Sequence, residues 1–157
     1  MPLTDNPYEV GYFAGMLDGE GSISLVRSYA KRTGGRYVYP LVRISNTDPA
    51  VINWLARIGV GSKVHTYRHE GRKEVAHVAW ACGEAIVILR WIEPYLIVKR
   101  DRARLVLDLC DLNEKAREEA GGYFGNGHPI PDWLVAEREM AFERLQQLNA
   151  RGVQLCL

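Results

Sequence analysis

Apolar stretches long enough to cross a bilayer are missing from these 157 residues; none approaches the ~20 that a transmembrane helix needs. The opening segment, Met1 to Glu9, is polar and acidic and lacks the basic and apolar parts of a secretory signal. These absences predict a soluble, intracellular protein, cytoplasmic in a prokaryote or else organellar. Cysteine is scarce. Cys82, Cys110 and Cys156 are odd in number and far apart. They form neither a CxxC pair nor a zinc-finger spacing with histidine, which argues against a disulfide framework. No motif recurs, and no segment is of low complexity. Net charge is missing too: 20 basic and 19 acidic residues leave +1. That balance argues against a nucleic-acid partner, because phosphate binding is driven by Lys and Arg displacing counterions. What remains, 47% hydrophobic and 25% charged, is globular composition. The length fits one domain over residues 1–157.

The pattern along the chain alternates between helical and strand periods. A helix is predicted from Pro7 to Leu17, with Asn6 as N-cap, Pro7 in the first turn and a stripe of small residues at Gly11, Ala14 and Gly15. Gly19-Glu20-Gly21 ends it. From Ser22 the period becomes two, and Ile23 and Leu25 alternate with serines. A second strand follows the turn Thr33-Gly34-Gly35. Val38, Pro40, Val42 and Ile44 share one of its faces, and Tyr37, Tyr39, Leu41 and Arg43 the other. Pro40 lacks a ladder donor, so this strand is expected at a sheet edge. Asn46-Thr47-Asp48-Pro49 caps a short helix over 50–58, stopped by Gly59 and Gly61. Two more strands, over 62–68 and 74–81, turn near Gly71. Helices follow over 84–93 and 98–113, then a Gly- and Pro-rich loop over 121–131. An amphipathic helix over 132–150 closes the chain, with Trp133, Ala136, Met140 and Leu145 as buried candidates. The order α-β-β-α-β-β-α-α with a terminal helix predicts an α+β fold. Its antiparallel four-stranded sheet carries helices on one face and leaves the other free. The core spans about 8–113, and the C-terminal loop and helix about 114–152.

Mapping the charge along the chain changes its meaning. Residues 1–23 hold four acids and no Lys or Arg. Residues 24–80, the two hairpins and their linking helix, hold ten bases against three acids, a net +7. Residues 81–104 add +2, and residues 105–157 carry −4. The sheet region is therefore a basic patch cancelled elsewhere. Its cations are interleaved with tyrosines and with His65, His69 and His77, the pattern of a nucleic-acid surface.

The run Phe13-Ala14-Gly15-Met16-Leu17-Asp18-Gly19-Glu20-Gly21, preceded by Gly11-Tyr12 and followed by Ser22-Ile23, resembles the LAGLIDADG signature of homing endonucleases. Glu20 stands where Asp is common in that family, and Gly19 replaces Ala. Further landmarks agree at matching spacing: Ile44-Ser45-Asn46-Thr47-Asp48, Ile58-Gly59-Val60-Gly61, Pro94-Tyr95-Leu96 leading to Lys99, and Leu148-Asn149-Ala150-Arg151-Gly152. The resemblance covers roughly residues 8–152. It implies a saddle-like sheet and a site-specific DNA endonuclease that makes a metal-dependent double-strand break in a long, near-palindromic target, as in intron homing. One signature per chain implies a homodimer on double-stranded DNA, with Gly11, Ala14, Gly15 and Asp18 at the interface.

By the same resemblance, Glu20 and the Gly19 carbonyl are the Mg²⁺ ligands, and Glu20, Asn46 and Lys99 the catalytic residues, with Arg100 replacing Lys99 if the register slips by one. Asp18 has a second reading, as a structural acceptor of backbone donors. Asn46 has one too, as part of the next helix's cap. The residues expected to read DNA from the free sheet face are Ser24, Ser28, Arg32, Tyr37, Tyr39, Arg43, Lys63, His65 and Tyr67. The facing of the strand holding His77 and Trp80 is open, and Arg27 falls on the core parity. Two alternatives share this fold: an RNA maturase, whose partner would be the host intron, and a non-cleaving DNA-binding regulator.

Overall fold

The computed structural model describes residues 3–29, 36–59, 61–68, 70–71, 73–122, 124 and 129–150. Arg32, the Thr33–Gly35 turn, His69, Arg72, Arg151 and Cys156 lie outside the described residues. The elements run α1 (Pro7–Glu20), β1 (Gly21–Tyr29), β2 (Arg36–Asn46), α2 (Pro49–Ile58), β3 (Lys63–Tyr67) and β4 (Val75–Ala81). They continue with α3 (Gly83–Ile92), a 3₁₀ turn at Glu93–Tyr95, α4 (Arg100–Glu119) and α5 (Asp132–Ala150). The four strands form one antiparallel sheet in the order β1-β2-β4-β3. This is the α+β architecture expected from the alternation.

Helix α1 starts as its sequence dictates. The Asn6 side chain accepts from the Tyr8 N–H at 3.1 Å, and Pro7 supplies a ready-made helical φ. It runs three residues further than expected, through Gly19 to Glu20, and passes directly into β1. Gly21 is there for space rather than for conformational freedom. Its backbone is extended, and a Cβ would fall 2.5 Å from the Leu17 side chain and 2.7 Å from the Leu17 carbonyl oxygen.

The core lies between the sheet and the helices. Phe13 and Leu17 of α1 pack on Ile23, Val42, Ile44, Val78 and Trp80 of the sheet, beside Leu55, Ile88, Leu89 and Ile92. The Phe13 ring meets Trp80 at 5.6 Å and Trp91 at 5.0 Å between centroids. Trp80 is fully buried, which settles the facing of β4: Val78 and Trp80 point into the core, His77 and Ala79 to the free face.

Three expectations are corrected. First, β2 is an interior strand, between β1 and β4, and not an edge. Pro40 is tolerated because β4 leaves the sheet opposite it. The β2–β4 ladder begins at Leu41↔Ala81, and Cys82 N–H donates to the Pro40 carbonyl at 2.9 Å. The reciprocal acceptor, the Cys82 carbonyl, needs no donor from Pro40, since it accepts from Ile86 N–H as the first helical bond of α3. Second, α5 buries Leu134, Arg138, Ala141 and Leu145, whereas Trp133, Ala136 and Met140 are exposed. Both stripes have helical spacing. An arginine disqualifies the true one by hydropathy, but Arg138 is held by two N–H bonds to the Asn113 Oδ1, at 2.8 and 2.5 Å. Third, α4 runs to Glu119, six residues past its expected end. The core parity of Arg27 is also explained, because α5 covers that end of β1. The guanidinium pairs with Glu139 and lies 3.8 Å above the centre of the Phe142 ring.

Candidate active site and nucleic-acid interface

The C-terminal end of α1 gathers most of the chemistry. Glu20 is its last residue and is exposed, and Gly19 beside it is exposed as well. A helix end leaves its last carbonyls without N–H partners. Here the Leu17 carbonyl accepts from Gly21 N–H, and Lys99 Nζ donates to Leu17 O at 2.8 Å and to Asp18 O at 2.5 Å. Lys99 lies 81 residues from Asp18 in sequence, so the fold delivers an ammonium to the signature helix. Burial and the neighbouring Arg102 hold Lys99 below the ordinary lysine range, against the opposing charges of Asp18 and Glu20. Arg100 does not take this place, since its guanidinium donates to the Pro94 carbonyl at 2.8 Å.

Asp18 has its carboxylate engaged within the chain. It accepts from the N–H groups of Ile97 at 2.7 Å, Val98 at 3.2 Å and Lys99 at 2.9 Å. Asn46, at the end of β2, accepts from Asp48 N–H at 2.8 Å, and Asp48 in turn caps α2 through Ala50 N–H at 2.8 Å. The small-residue stripe divides. Ala14 is 4% exposed and packs in the chain's own core. Gly11 and Gly15 face outward beside Tyr8 and Tyr12, with nothing within 4 Å of a Cβ added at either glycine.

Over β2, β4 and β3 the sheet's free face holds a concavity of about 630 Å³. Strand register arranges its side chains in rows, because directly paired residues point the same way. One row is Ser22, Arg43, Ala79 and Lys63, so a single alanine separates two cations. The next is Ser45, His77 and His65, and the opposite neighbours are Ser24 with Leu41 and Ala81. Beyond these, Val26 pairs with Tyr39 and Ser28 with Tyr37. Tyr37 and Tyr39 pack at 6.0 Å, and Tyr67 lies 5.8 Å from His77 between ring centres. Ser24 Oγ donates to the Leu41 carbonyl at 3.2 Å, which leaves its lone pairs as its outward function.

Of the expected readers, Ser24, Ser28, Tyr37, Tyr39, Arg43, Lys63, His65 and Tyr67 all stand on this face, and Arg32 lies outside the described residues. His77, whose facing the sequence leaves open, stands on this face too, in alternation with the buried Val78 and Trp80. Burial, then Arg43 and His65, hold His77 below the ordinary histidine value.

Among the described residues, no group of three or more His, Cys, Asp or Glu side chains could hold a metal within one chain. The donors at the helix end, one carboxylate and a peptide carbonyl, are hard oxygens. They suit Mg²⁺ if substrate phosphates and a second copy complete the shell.

No protein-family model and no curated protein matches the chain. Solved structures do. The homing endonuclease I-CvuI, in complex with the I-CreI target, superposes with TM-score 0.70 at 16% identity, covering 96% of this chain and 87% of that one. That complex was formed in 2 mM Mg with the DNA not cleaved, and a second I-CvuI complex in 2 mM Ca. The archaeal intron-encoded homing endonuclease I-Vdi141I, also bound to DNA, gives 0.67 at 14% identity over 96% of this chain and 90% of its own. The homing endonuclease I-TnaI gives 0.64 at 16% identity over 89% and 95%. The chain has the LAGLIDADG homing endonuclease fold. Among the described residues, no helix is long and apolar enough to cross a membrane.

Proposed function

We propose that this chain is a site-specific, Mg²⁺-dependent DNA endonuclease that acts as a homodimer on a near-palindromic target and serves intron homing. The observation that carries the reading is the meeting of Lys99 with the end of the signature helix, one residue pair away from Glu20, where the basic sheet begins. The solved neighbours that hold DNA support the substrate, and the magnesium or calcium of the two I-CvuI complexes supports the divalent metal.

Glu20 from each copy and the Gly19 carbonyl would hold the metal. When bound, such an ion polarises the scissile phosphate and lowers the pKa of the attacking water. The chain's own part is electrostatic and positional. Lysine has three N–H donors, and two are fixed on α1 carbonyls, which aims the ammonium at the charge that develops on the phosphoryl oxygens. Asn46 keeps its amide N–H donors for the water, its carbonyl oxygen being engaged with Asp48. The free face reads bases, with Arg43 able to pair bidentately with guanine and Tyr37, Tyr39 and Lys63 beside it.

The test is incubation with a random duplex library in Mg²⁺, followed by recovery of double-strand ends. Wild type is expected to cut a discrete long site. Glu20→Gln is expected to bind that site with unchanged affinity and to cut it at least a thousandfold more slowly. Binding without any cut by wild type would overturn the nuclease reading in favour of a regulator. Intron splicing that survives Glu20→Gln, with no DNA cut by wild type, would overturn it in favour of a maturase.

A further inference from the structure

We propose that Asp18 is the positioning residue for Lys99, an inference that rests on the nuclease reading above. The segment between Leu96 and α4 has little else to hold it. Ile97 is 87% exposed and Val98 65%, so burial does not fix their backbone. One carboxylate does, accepting from three successive N–H groups, those of Ile97, Val98 and Lys99. Bonds from N–H groups to a charged acceptor are about twice as strong as neutral ones, and three on one group define the path of the chain. Lys99 then closes a ring. Its backbone N–H binds the Asp18 side chain, and its side-chain Nζ binds the Asp18 backbone carbonyl. The carboxylate bonds to backbone N–H groups and the ammonium to backbone carbonyls, so Asp18 fixes the backbone of residues 97–99, while its charge also favours the ammonium.

Such a device has a chemical reason. Lysine is a point charge on a flexible four-carbon stem, and its value at a phosphate depends on where the stem begins. Anchoring the Lys99 backbone to α1 makes the ammonium move with the helix that carries Glu20. Asp18 touches no reacting atom in this arrangement.

The experiment compares wild type, Asp18→Ala, Asp18→Asn, Lys99→Met and the Asp18→Ala/Lys99→Met double variant. It measures single-turnover cleavage at saturating protein, DNA affinity without divalent metal, and amide exchange at residues 97–99. Asp18→Ala is expected to cut 10- to 100-fold more slowly with affinity changed less than twofold, and to exchange the three amides at least tenfold faster. Asp18→Asn, which keeps one acceptor oxygen, should fall between. It also serves if the alanine variant folds poorly. The double variant should cut no more slowly than Lys99→Met alone. Additive rate losses, or unchanged exchange at 97–99, would overturn the assignment while leaving the nuclease reading in place. A wild type that binds DNA and never cuts it would overturn that reading first.

Discussion

At the scale of single residues, two backbone positions show what the fold asks of the sequence. Cys82 joins β4 to α3 with φ 53° and ψ −122°, a region that a side chain disfavours. It is exposed, and both its backbone groups are bonded, to Pro40 and Ile86. Replacing it with glycine relieves the conformation while keeping the bonds. Cys82→Gly should therefore raise stability by about 1 kcal/mol, read as a higher urea midpoint at unchanged m, whereas Cys82→Ala should give no gain. Gly59 is the reverse case. A Cβ there would lie 2.2 Å from the Trp80 Nε1, and the indole is rigid and buried. Gly59→Ala should lower stability by about 1–3 kcal/mol. A neutral result would mean that the indole can shift within the core.

At the scale of elements, α5 is attached by polar contacts as much as by its apolar stripe, and these are asymmetric. Arg138 is mostly buried against Asn113, and burial, with Arg117, holds its guanidinium below the usual arginine value. Asn113→Leu leaves that charge without its acceptor and should cost about 3 kcal/mol or more. Arg138→Met removes the charge itself and should cost clearly less. Equal losses in chemical denaturation would refute the asymmetry. The same helix shows where sequence reading stops. Its limits, Asp132 and Ala150, follow from pattern. Its buried stripe does not, because periodicity offers two and only the partner Asn113 makes the arginine-bearing one stable. The sheet is the opposite case. Alternation in β1 and β2 places the outward residues without knowledge of the partner strands, whereas the facing of His77 is settled only by the burial of Trp80 in the fold.

That face makes a second prediction at this scale. Since burial, Arg43 and His65 disfavour the His77 imidazolium, the native chain binds fewer protons than the unfolded one below about 6.5. His77 therefore contributes stability above that value, and the contribution is lost as the pH falls from there through its lowered native value. Bound phosphate has the opposite sign and favours the cation, so DNA affinity should rise over the same interval. His77→Gln should flatten both trends, in thermal unfolding and in binding isotherms, and persistence of either assigns it to another group. By contrast, the end of α1 has no local signature of its partner. Asp18 and Lys99 are 81 residues apart, and only a resemblance carried over the whole chain nominates the lysine.

At the scale of the whole molecule, the outer face of α1 bears on the proposed homodimer. Gly11, Gly15 and Gly19 lie within the helix with open space where a Cβ would be. Alanine at each would favour the helix by about 1 kcal/mol. Tyr8 is 86% exposed and Tyr12 50%, which leaves a smooth, partly aromatic surface at the end that carries Glu20. A second copy packed there, as proposed above, would explain the bare glycines, because small residues let two helix backbones approach. It would also bring two Glu20 carboxylates together, where the described residues of one chain hold no group of three or more His, Cys, Asp or Glu for a metal. Gly15→Leu separates the two explanations. In the isolated chain it meets no neighbour, so at dilutions where the wild type is monomeric the variant's unfolding midpoint should not fall below that of wild type. Across a two-fold axis the leucine collides with its own copy. Wild type should therefore sediment at twice 17.8 kDa and the variant at 17.8 kDa. Each phosphate neutralised contributes about −0.9 to the slope of log K against log salt, so the variant's slope on the full site should be about half that of wild type. Cleavage should vanish with the dimer although Glu20 and Lys99 are intact. A variant that remains dimeric, or a wild type that is monomeric on its target, would place the second carboxylate elsewhere and remove the reason for the glycines.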